Sequence, residues 1–344
     1  MTRLRRLRGS LDVPLLVSNP VNIRYLTGFE SSNAALLVGL DDVRLFADFR
    51  YANAARAVAD VDFVETGRDL YRDLARLLDG RIGFEPDHLT VARHGQLAEG
   101  RLDLVPTGGL VERLRALKDE QELEAIRRAA TITSEAFARL SEERFVGRSE
   151  RELARLLERT WIDLGADGPA FTVIVAAGRN GANPHARPGD RPIEPGTLVV
   201  VDFGARLDGY QSDCTRTFAT GPLPDDLHGV YDLCLQAQQR ALSAVRAGAA
   251  CADVDGVARD VISAAGYGER FGHGLGHGLG LEVHEAPYLR QESTETLAAG
   301  NVVTVEPGIY LGGRAGVRIE DLAIVTDDGP EVLTTFTKEL VVVG

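Results

Sequence analysis

Histidine is concentrated in one short segment of this chain, residues 271–285, which reads FGHGLGHGLGLEVHE. His273, His277 and His284 are three of only seven histidines in the sequence. Glycine at every second position from 272 to 280 lets the backbone approach a ligand or another chain segment closely. Imidazole is a common metal ligand and proton-transfer group, so the segment is a candidate functional site. A glycine-rich loop with solvated histidines is the alternative that this segment alone leaves open.

Four acidic residues flank two predicted hairpin turns in matching positions. The spacing sets Asp202 roughly opposite Asp213, and Glu306 opposite Glu320 across a turn centred on Gly313. Unpaired like charges on neighbouring strands destabilise a sheet, so a cation is expected to compensate them. Four carboxylates and one imidazole suit two divalent ions, typically about 3.5–4 Å apart. Each acid taken singly could be a surface residue near a turn, but the apolar runs VVVD and VVTVE place two of them on buried strands.

The elements that must position these acids form two similar series between residues 118 and 344. The first hairpin is predicted to turn at Leu207-Asp208-Gly209, with its centre between Leu207 and Asp208, and the second at Gly312-Gly313. Two helices are predicted before each hairpin, over residues 118–140, 149–164, 225–245 and 253–266. The order therefore predicts a helix-helix-hairpin duplication, which is a structural inference because the two copies differ in sequence.

Residues 1–117 alternate predicted strands and helices, which indicates a small α/β domain. The pairs Asn19-Pro20 and Thr27-Gly28 predict turns, and the basic start MTRLRRLRGS predicts an amphipathic helix. No catalytic motif is found in this part of the sequence. We therefore expect a mixed α/β (α+β) protein with an amino-terminal domain at 1–117 and a larger domain at 118–344.

Composition narrows the class of function. A net charge of -13 over 344 residues argues against nucleic acid as a main partner. Asp12 and Pro14 interrupt the only apolar run near the start, so neither a signal peptide nor a membrane span is predicted. Three cysteines without paired spacing predict a reduced, cytoplasmic protein.

The motifs VVVDFGARLDGYQSDCTRTF, GHGLGHGLGLEVHE, TVEPGIY and GVRIED together resemble the metallopeptidase family of aminopeptidase P, prolidase and methionine aminopeptidase, which share the pita-bread fold. The resemblance covers about residues 118–344. NPVNIRYLTGF and ADFRYANAA resemble the creatinase-like amino-terminal domain of the proline-specific branch. The resemblance therefore implies a pita-bread metallopeptidase with a pseudo-twofold catalytic domain.

By that resemblance, Asp202, Asp213, His277, Glu306 and Glu320 bind a dinuclear metal centre. Asp213 and Glu320 would bridge the ions, Asp202 would chelate one ion, and His277 with Glu306 would bind the other. A carboxylate-rich site with a single imidazole suits Mn²⁺ and also takes Co²⁺ or Zn²⁺. A homodimer is the family expectation. We interpret Cys214, which follows Asp213, as a core residue on the other face of its strand.

The amino-terminal domain and the histidine of NPHARP, His185, favour hydrolysis of an Xaa-Pro bond in small peptides with proline in the second position. In this hypothesis an activated water attacks the scissile carbonyl, which His284 polarises, while Glu306 carries the proton toward the proline nitrogen. His185 would hold the proline side and the leaving group. His273 is expected to line the pocket or to support a ligand from behind.

Two further residues are expected near the substrate. Tyr310 closes EPGIY and is expected either to contact substrate or to pack as a buried aromatic. Arg318 lies two residues before Glu320 on a predicted strand, so it is expected to orient that carboxylate, with a surface cation as the alternative.

Dipeptides are the substrate we favour. Several prolidases carry a carboxylate-binding arginine at the position of Tyr288, and this departure counts against a simple prolidase assignment. Arg290 and Arg50 are the candidates for that role here. The length of the chain resembles that of short bacterial Xaa-Pro dipeptidases. Aminopeptidase P activity on longer peptides is the main alternative. A non-catalytic pita-bread binding protein and a metal-independent creatinase are remote alternatives, because all five ligand positions are filled.

Overall fold

The computed structural model describes residues 2–344, which divide into two compact units between Arg115 and Ala116. The first unit is built on a six-stranded mixed sheet with the order β4-β3-β2-β1-β5-β6. Its elements are α1 (Arg3–Arg8), β1 (Leu15–Val17), α2 (Pro20–Thr27), β2 (Ala34–Val38), β3 (Val43–Asp48), α3 (Ala52–Arg56), β4 (Asp62–Thr66), α4 (Leu70–Leu77), β5 (Asp79–Phe84), α5 (Val91–Ala98), β6 (Arg101–Pro106) and α6 (Leu110–Ala116), which ends at the division.

Two details of the first unit test the sequence predictions. The predicted amphipathic helix at the start is confirmed, because α1 buries Leu4 and Leu7 on one side. The turn predicted at Asn19-Pro20 is wrong, because helix α2 begins there. The Asn19 side chain accepts from Val21 N and caps the helix, while Pro20 occupies a first-turn position where its missing N–H costs nothing.

The second unit contains four long helices and the strands of four smaller sheets. Its elements are α7 (Glu120–Ser141), α8 (Glu150–Asp163), β7 (Gly168–Pro169), β8 (Ile174–Ala177), β9 (Leu198–Phe203), β10 (Ala205–Leu207), β11 (Tyr210–Gln211), β12 (Cys214–Ala219), α9 (Asp225–Ala244), α10 (Cys251–Ala264), β13 (Gly276–Gly278), β14 (Glu285–Leu289), β15 (Val302–Val305), β16 (Gly308–Leu311), β17 (Ala315–Arg318), β18 (Asp321–Val325) and β19 (Pro330–Val332).

The predicted duplication of helix, helix and hairpin is present in this unit. Helices α7 and α8 precede the hairpin of β9 and β12, and helices α9 and α10 precede the hairpin of β15 and β18. Each hairpin gains one more antiparallel strand, β8 beside β9 and β13 beside β15. The capping box predicted at Ser149 and Glu152 opens α8 as expected.

Each half of the second unit has its own apolar core. In the first half Phe137 of α7 lies with its ring centroid 4.6 Å from that of Phe203 on β9. Cys214 is buried in this core, as predicted. In the second half, helices α9 and α10 pack buried residues such as Val254 and Ile262 against the strands. Burial of these faces fixes the strands that carry the acidic residues.

The first hairpin differs from the prediction by two residues. Asp208 and Gly209 both have positive φ, so they form a two-residue turn, and Leu207 pairs with Tyr210. In the same register Asp202 pairs with Thr215, whereas the sequence prediction set it opposite Asp213. Because side chains alternate along a strand, a two-residue offset keeps both acids on one face as diagonal neighbours.

The second hairpin follows the predicted register. Val305 pairs with Asp321 and Gly308 pairs with Arg318, which sets Glu306 opposite Glu320 in the interruption between the two strand pairs. Both acids therefore lie where the ladder is broken.

Within residues 2–344, none of the helices combines the length and the apolar composition that a membrane crossing requires.

Candidate functional site

The predicted acids and histidines of the second unit, apart from Glu320, line one cavity of about 890 Å³. Both halves of the unit contribute to its walls. The lining comprises Phe171, Thr172, Ile174, Pro184, His185, Ala186, Arg187, Pro188, Asp202, Asp213, His273, Gly274, Gly276, His277, Val283, His284, Tyr288, Arg290, Glu306 and Arg318. The volume lies within the range of small-molecule sites, so the cavity can accommodate a short peptide ligand.

Three carboxylates form the floor of the site. Asp202, Asp213 and Glu320 each place one oxygen so that the three atoms lie within 4.8 Å of one another. All three side chains are buried. Asp202 is on β9, Asp213 directly precedes β12 and Glu320 directly precedes β18, so both hairpins deliver acids to the same point.

The charge of this cluster is not balanced by the protein alone. Burial raises the pKa of Asp213 and of Glu320 well above the ordinary value, and the neighbouring carboxylates raise both pKa values further. Burial also raises the pKa of Asp202, although the charge of Arg318 opposes that rise. Asp202 Oδ1 and Glu320 Oε1 are buried without a hydrogen-bond partner in the described residues. A bound cation would favour the ionised form of these buried oxygens and would compensate its charge.

His277 and Glu306 extend the cluster to one side. His277 Nε2 lies 3.2 Å from Glu306 Oε1 and 3.7 Å from Asp213 Oδ2. Its Nδ1 faces the Gly278 carbonyl oxygen at 3.1 Å, which fixes the proton on Nδ1 in the neutral ring. In that neutral form the Nε2 lone pair and two carboxylates converge on one point. In the protonated ring Nε2–H instead donates to Glu306 Oε1.

The pKa values of this pair show how strongly the two groups are linked. Burial opposes the charge of Glu306, yet the hydrogen bond and the charge of His277 lower its pKa to about 2. Burial lowers the pKa of His277, and the bond to Glu306 raises it above its usual value.

The donor set fits a pair of divalent ions. Asp202, Asp213 and Glu320 form one group of oxygen ligands, and His277 with Glu306 forms a second group that adjoins Asp213. The carboxylate of Asp213 borders both groups. Hard oxygen donors with one imidazole suit first-row divalent metals, and the unpartnered oxygens leave room for them.

The relatives of this chain agree with that chemistry. The profile of metallopeptidase family M24 matches residues 124–327, and the Creatinase/Prolidase N-terminal domain matches residues 6–117. This chain belongs to metallopeptidase family M24. The predicted family and fold class, a creatinase-like amino-terminal domain followed by a pita-bread domain, are thereby confirmed.

Three relatives illustrate the branch of M24 in which this chain falls. The solved Xaa-Pro dipeptidase of Bacillus anthracis has a TM-score of 0.94 and 38% identity, covering 99% of each chain. The Xaa-Pro dipeptidase of Pyrococcus furiosus is 40% identical over 231 residues, which are 67% of this chain and 66% of the relative. The solved X-Pro aminopeptidase of Thermotoga maritima has a TM-score of 0.89 and 35% identity, and the match covers 99% of this chain and 100% of the aminopeptidase.

Arg318 of this M24 chain is buried, so it is not the surface cation that was the alternative prediction. Its Nη2 donates to Asp202 Oδ2 at 2.6 Å, and its Nε donates to Thr215 Oγ1 at 3.0 Å. Strand β17 ends at Arg318, so the two-residue alternation does not continue to Glu320. Arg318 reaches Glu320 indirectly, because the Thr215 hydroxyl donates to Glu320 Oε2 at 2.7 Å.

His273 lines the cavity, and Tyr310 is a buried neighbour of its ring. The His273 Nε2 lies 3.0 Å from the Tyr310 hydroxyl, which also accepts from Arg318 Nη1 at 2.9 Å. Tyr310 is buried, and burial raises the pKa of its hydroxyl to about 12. Burial lowers the pKa of His273. Hydrogen bonds therefore connect His273 and Tyr310 to Arg318, the arginine that binds Asp202.

His185 and His284 are the exposed imidazoles of the cavity. The His284 ring centroid lies 4.3 Å from that of His277, at an interplanar angle of 64°. His185 lies on the loop between β8 and β9. Exposed imidazoles beside a buried carboxylate cluster can reach a substrate that occupies the cavity.

The arginines proposed for the proline carboxylate occupy different places. Arg290 lines the cavity, with its guanidinium carbon 5.0 Å from the ring centroid of Tyr288. Arg50 belongs to the first unit, where its Nε and Nη2 donate to Asp48 at 2.9 and 2.7 Å. Arg290 and Arg187 thus line the same cavity as four of the predicted metal ligands.

Sequence reasoning missed several residues that hold the site in place. Thr215 connects Arg318 to Glu320, and the Thr304 hydroxyl donates to Glu306 Oε1 at 3.2 Å while accepting from His277 N at 3.1 Å. Each threonine stands two residues from an acidic ligand on its own strand, Thr215 after Asp213 and Thr304 before Glu306. That i, i+2 spacing places both side chains on one face and could have identified them.

A buried ion pair was also missed. Lys118 Nζ lies 2.6 Å from Glu285 Oε1, and both side chains are almost fully buried. Glu285 follows His284 in the chain, so the pair secures the strand behind that histidine.

Proposed function

We propose that this protein is a metal-dependent Xaa-Pro dipeptidase that cleaves the bond before proline in dipeptides. The observation that carries the proposal is the convergence of five acid and imidazole ligands in a cavity that exposed His185 and His284 also line. The names of the Bacillus anthracis and Pyrococcus furiosus relatives support the substrate class.

In this proposal Asp202, Asp213, His277, Glu306 and Glu320 would hold two divalent ions. Two divalent ions, when bound, supply Lewis acidity toward the scissile carbonyl and lower the pKa of water. Mn²⁺ is the ion that we propose, because carboxylate-rich donor sets favour it, with Co²⁺ and Zn²⁺ as alternatives.

The side chains of the protein supply proton transfer and orientation. Glu306, held by the Thr304 hydroxyl, accepts the proton of the attacking water and delivers it to the proline nitrogen. His284 donates a hydrogen bond to the scissile carbonyl oxygen, where negative charge develops. His185 holds the proline side of the substrate and the leaving group. His273, Tyr310 and Arg318 keep Asp202 in place through their hydrogen bonds.

For the free carboxylate of the dipeptide we propose Arg290, which lines the cavity beside Tyr288. A guanidinium matches the geometry of a carboxylate with two parallel hydrogen bonds. Arg50 remains an alternative prediction for this role. Arg290→Met should raise the KM for Ala-Pro at least tenfold and leave cleavage of an Ala-Pro amide unchanged.

The decisive experiment combines metal removal with substitution. We expect protein treated with a chelator to lose Ala-Pro hydrolysis and to regain it on addition of Mn²⁺. His277→Ala and Glu306→Ala should lower kcat by at least about 10³-fold, because metal and base are lost together. His228→Ala is the matched control, since His228 is exposed and pairs with Asp232 on helix α9. Full activity of metal-free protein, or of either variant, would contradict the proposal.

Aminopeptidase activity is the second candidate, favoured by the resemblance to the Thermotoga maritima X-Pro aminopeptidase. The ratio of kcat/KM for Ala-Pro to that for Ala-Pro-Ala separates the two. A dipeptidase gives a ratio well above one, whereas preference for the tripeptide would overturn our assignment.

We further propose a homodimer in a reducing compartment, the cytoplasm. Three free and buried cysteines, Cys214, Cys234 and Cys251, support the compartment. Sedimentation at micromolar concentration tests the dimer.

A further inference from the structure

The loop that carries His185 runs between strands β8 and β9 and begins with a 3-10 turn, Gly178–Ala182. Pro184, His185 and Pro188 of this loop line the cavity. The segment after the turn has no regular secondary structure, and His185 itself is exposed. A defined position of this imidazole therefore depends on contacts between the loop and other elements of the unit.

One buried carboxylate bonds the loop on both sides of His185. Glu150, the first residue of helix α8, is 6% exposed. Its Oε1 accepts from Ala177 N at 2.7 Å, at the start of the loop. Its Oε2 accepts from Gly189 N at 2.6 Å, after the histidine, and from Asn180 Nδ2 at 2.8 Å. Hydrogen bonds to an ionised acceptor are the stronger kind.

Two more contacts make the arrangement continuous. Asn180 Nδ2 also donates to the carbonyl oxygen of Arg187 at 3.1 Å, so it bridges Glu150 to the segment after His185. The backbone N–H of Arg151 donates to the Gly189 carbonyl oxygen at 3.1 Å. The first residues of helix α8 thus form hydrogen bonds with the loop on both sides of the histidine. The helix dipole makes a negative charge favourable at this position.

We propose that Glu150 is a positioning residue for His185, an inference that rests on the proposed function. The carboxylate accepts only N–H groups, and each of them lies on or beside the loop. Loss of this acceptor frees the loop and displaces the imidazole from the proline side of the substrate. Displacement of a positioned group by about 1 Å can lower a rate about 10²-fold.

Glu150→Gln is the test, because it keeps the shape and replaces one acceptor oxygen with an N–H₂ donor that faces other donors. We expect kcat/KM for Ala-Pro to fall about 10- to 100-fold while the bound metal, measured by elemental analysis, is unchanged. In the His185→Ala background the same substitution should have almost no further effect, because the group that it positions is gone. Hydrogen exchange of the Ala177 and Gly189 amides should become faster.

Glu152→Gln is the matched control on the same turn of the helix. Glu152 accepts from Ser149 N and Oγ in the capping box and does not touch the loop. We expect it to affect helix stability and to leave loop exchange unchanged. If Glu150→Gln does not fold, Asn180→Ala removes one of the same hydrogen bonds with less disturbance and is judged by the same comparisons.

Two results would overturn the inference. The first is that Glu150→Gln lowers kcat/KM by the same factor in the wild type and in the His185→Ala background. That result indicates a purely structural role for Glu150. The second is unchanged loop exchange in Glu150→Gln. Failure of the wild type to cleave Ala-Pro would contradict the proposed function instead. The hydrogen-exchange measurement would still test whether Glu150 restrains the loop.

Discussion

The two halves of the second unit bring acids to one cluster through hairpins that turn differently. The first hairpin closes with the two-residue turn Asp208-Gly209, and its acids are diagonal neighbours. The second closes with a three-residue loop at 312–314, and Glu306 lies opposite Glu320. The offset in the first hairpin leaves Thr215 as the direct partner of Asp202.

This difference explains how the halves are joined. Arg318 of the second half donates to Asp202 of the first, and Thr215 of the first half donates to Glu320 of the second. Each hairpin therefore holds an acid of the other one. If both hairpins had facing acids, Asp213 would occupy the position that the Thr215 hydroxyl now uses. The unequal turns thus supply a neutral link between two charged strands.

The largest expected effect comes from removing the cationic link. Arg318→Met leaves Asp202 buried without its ion pair, which should cost about 3–5 kcal/mol of unfolding free energy. We expect kcat/KM to fall at least about 10²-fold, because Asp202 and Tyr310 lose their common partner. Urea unfolding and Ala-Pro kinetics measure the two effects.

Arg314→Met is the matched control in the loop of the same hairpin. Arg314 forms a half-exposed pair with Asp226, so its loss should change stability little and activity not at all. Equal effects of the two substitutions would show that Arg318 does not join the halves.

The neutral link should have a smaller effect, on metal affinity. Thr215→Val preserves shape and removes the hydroxyl that donates to Glu320 and accepts from Arg318. We expect metal affinity to fall about 10- to 100-fold, as for other residues that orient ligands. The unfolding free energy should fall by about 1–3 kcal/mol. Metal titration followed by calorimetry is the measurement.

Thr220→Val controls for the loss of a buried threonine hydroxyl. Thr220 follows the same strand and bonds Thr197 N and the Glu194 carbonyl oxygen, away from the ligands. It should lower stability and leave metal affinity unchanged. A similar loss of affinity in both variants would remove Thr215 from the ligand support.

The sequence predicts the elements better than their exact pairing. The mirror spacing about Gly313 gives the correct register of Glu306 and Glu320, because that loop has an odd length. In the first hairpin the Asp-Gly pair favours a two-residue turn, which implies the observed register, but the predicted centre lay one residue too early. A turn centre that moves by one residue moves every pairing by two, and this displaced Asp202 from its true partner.

Other parts of the site depend on contacts that local sequence does not encode. The spacing of Arg318 and Glu320 suggested that the arginine orients the carboxylate, and the structure links them through Thr215. The guanidinium itself donates to Asp202, 116 positions away in sequence. Glu150 was visible only as a residue in the first turn of a predicted helix. Its role depends on the path of a loop that begins 27 residues later. The chemistry of the ligands was predictable from residue type, whereas their supports depend on tertiary packing.

The smallest expected effect tests whether the turns themselves set the positions of the acids. Gly209 and Gly313 have φ of 78° and 73°, so alanine at either position should cost about 1–2 kcal/mol. Gly229→Ala in helix α9 is the control, and it should raise the unfolding free energy by about 1 kcal/mol. The added Cβ would meet no atom within 4 Å. Thermal unfolding measures all three.

If packing against the two cores fixes the registers, both turn variants lose stability equally and keep the kcat/KM of the wild type. A loss of kcat/KM in Gly209→Ala alone would show that the first hairpin depends on its turn to keep Asp202 opposite Thr215. A slip of two residues along this hairpin would exchange Thr215 for Asp213 without turning either side chain to the other face, so burial of one face alone does not exclude that register.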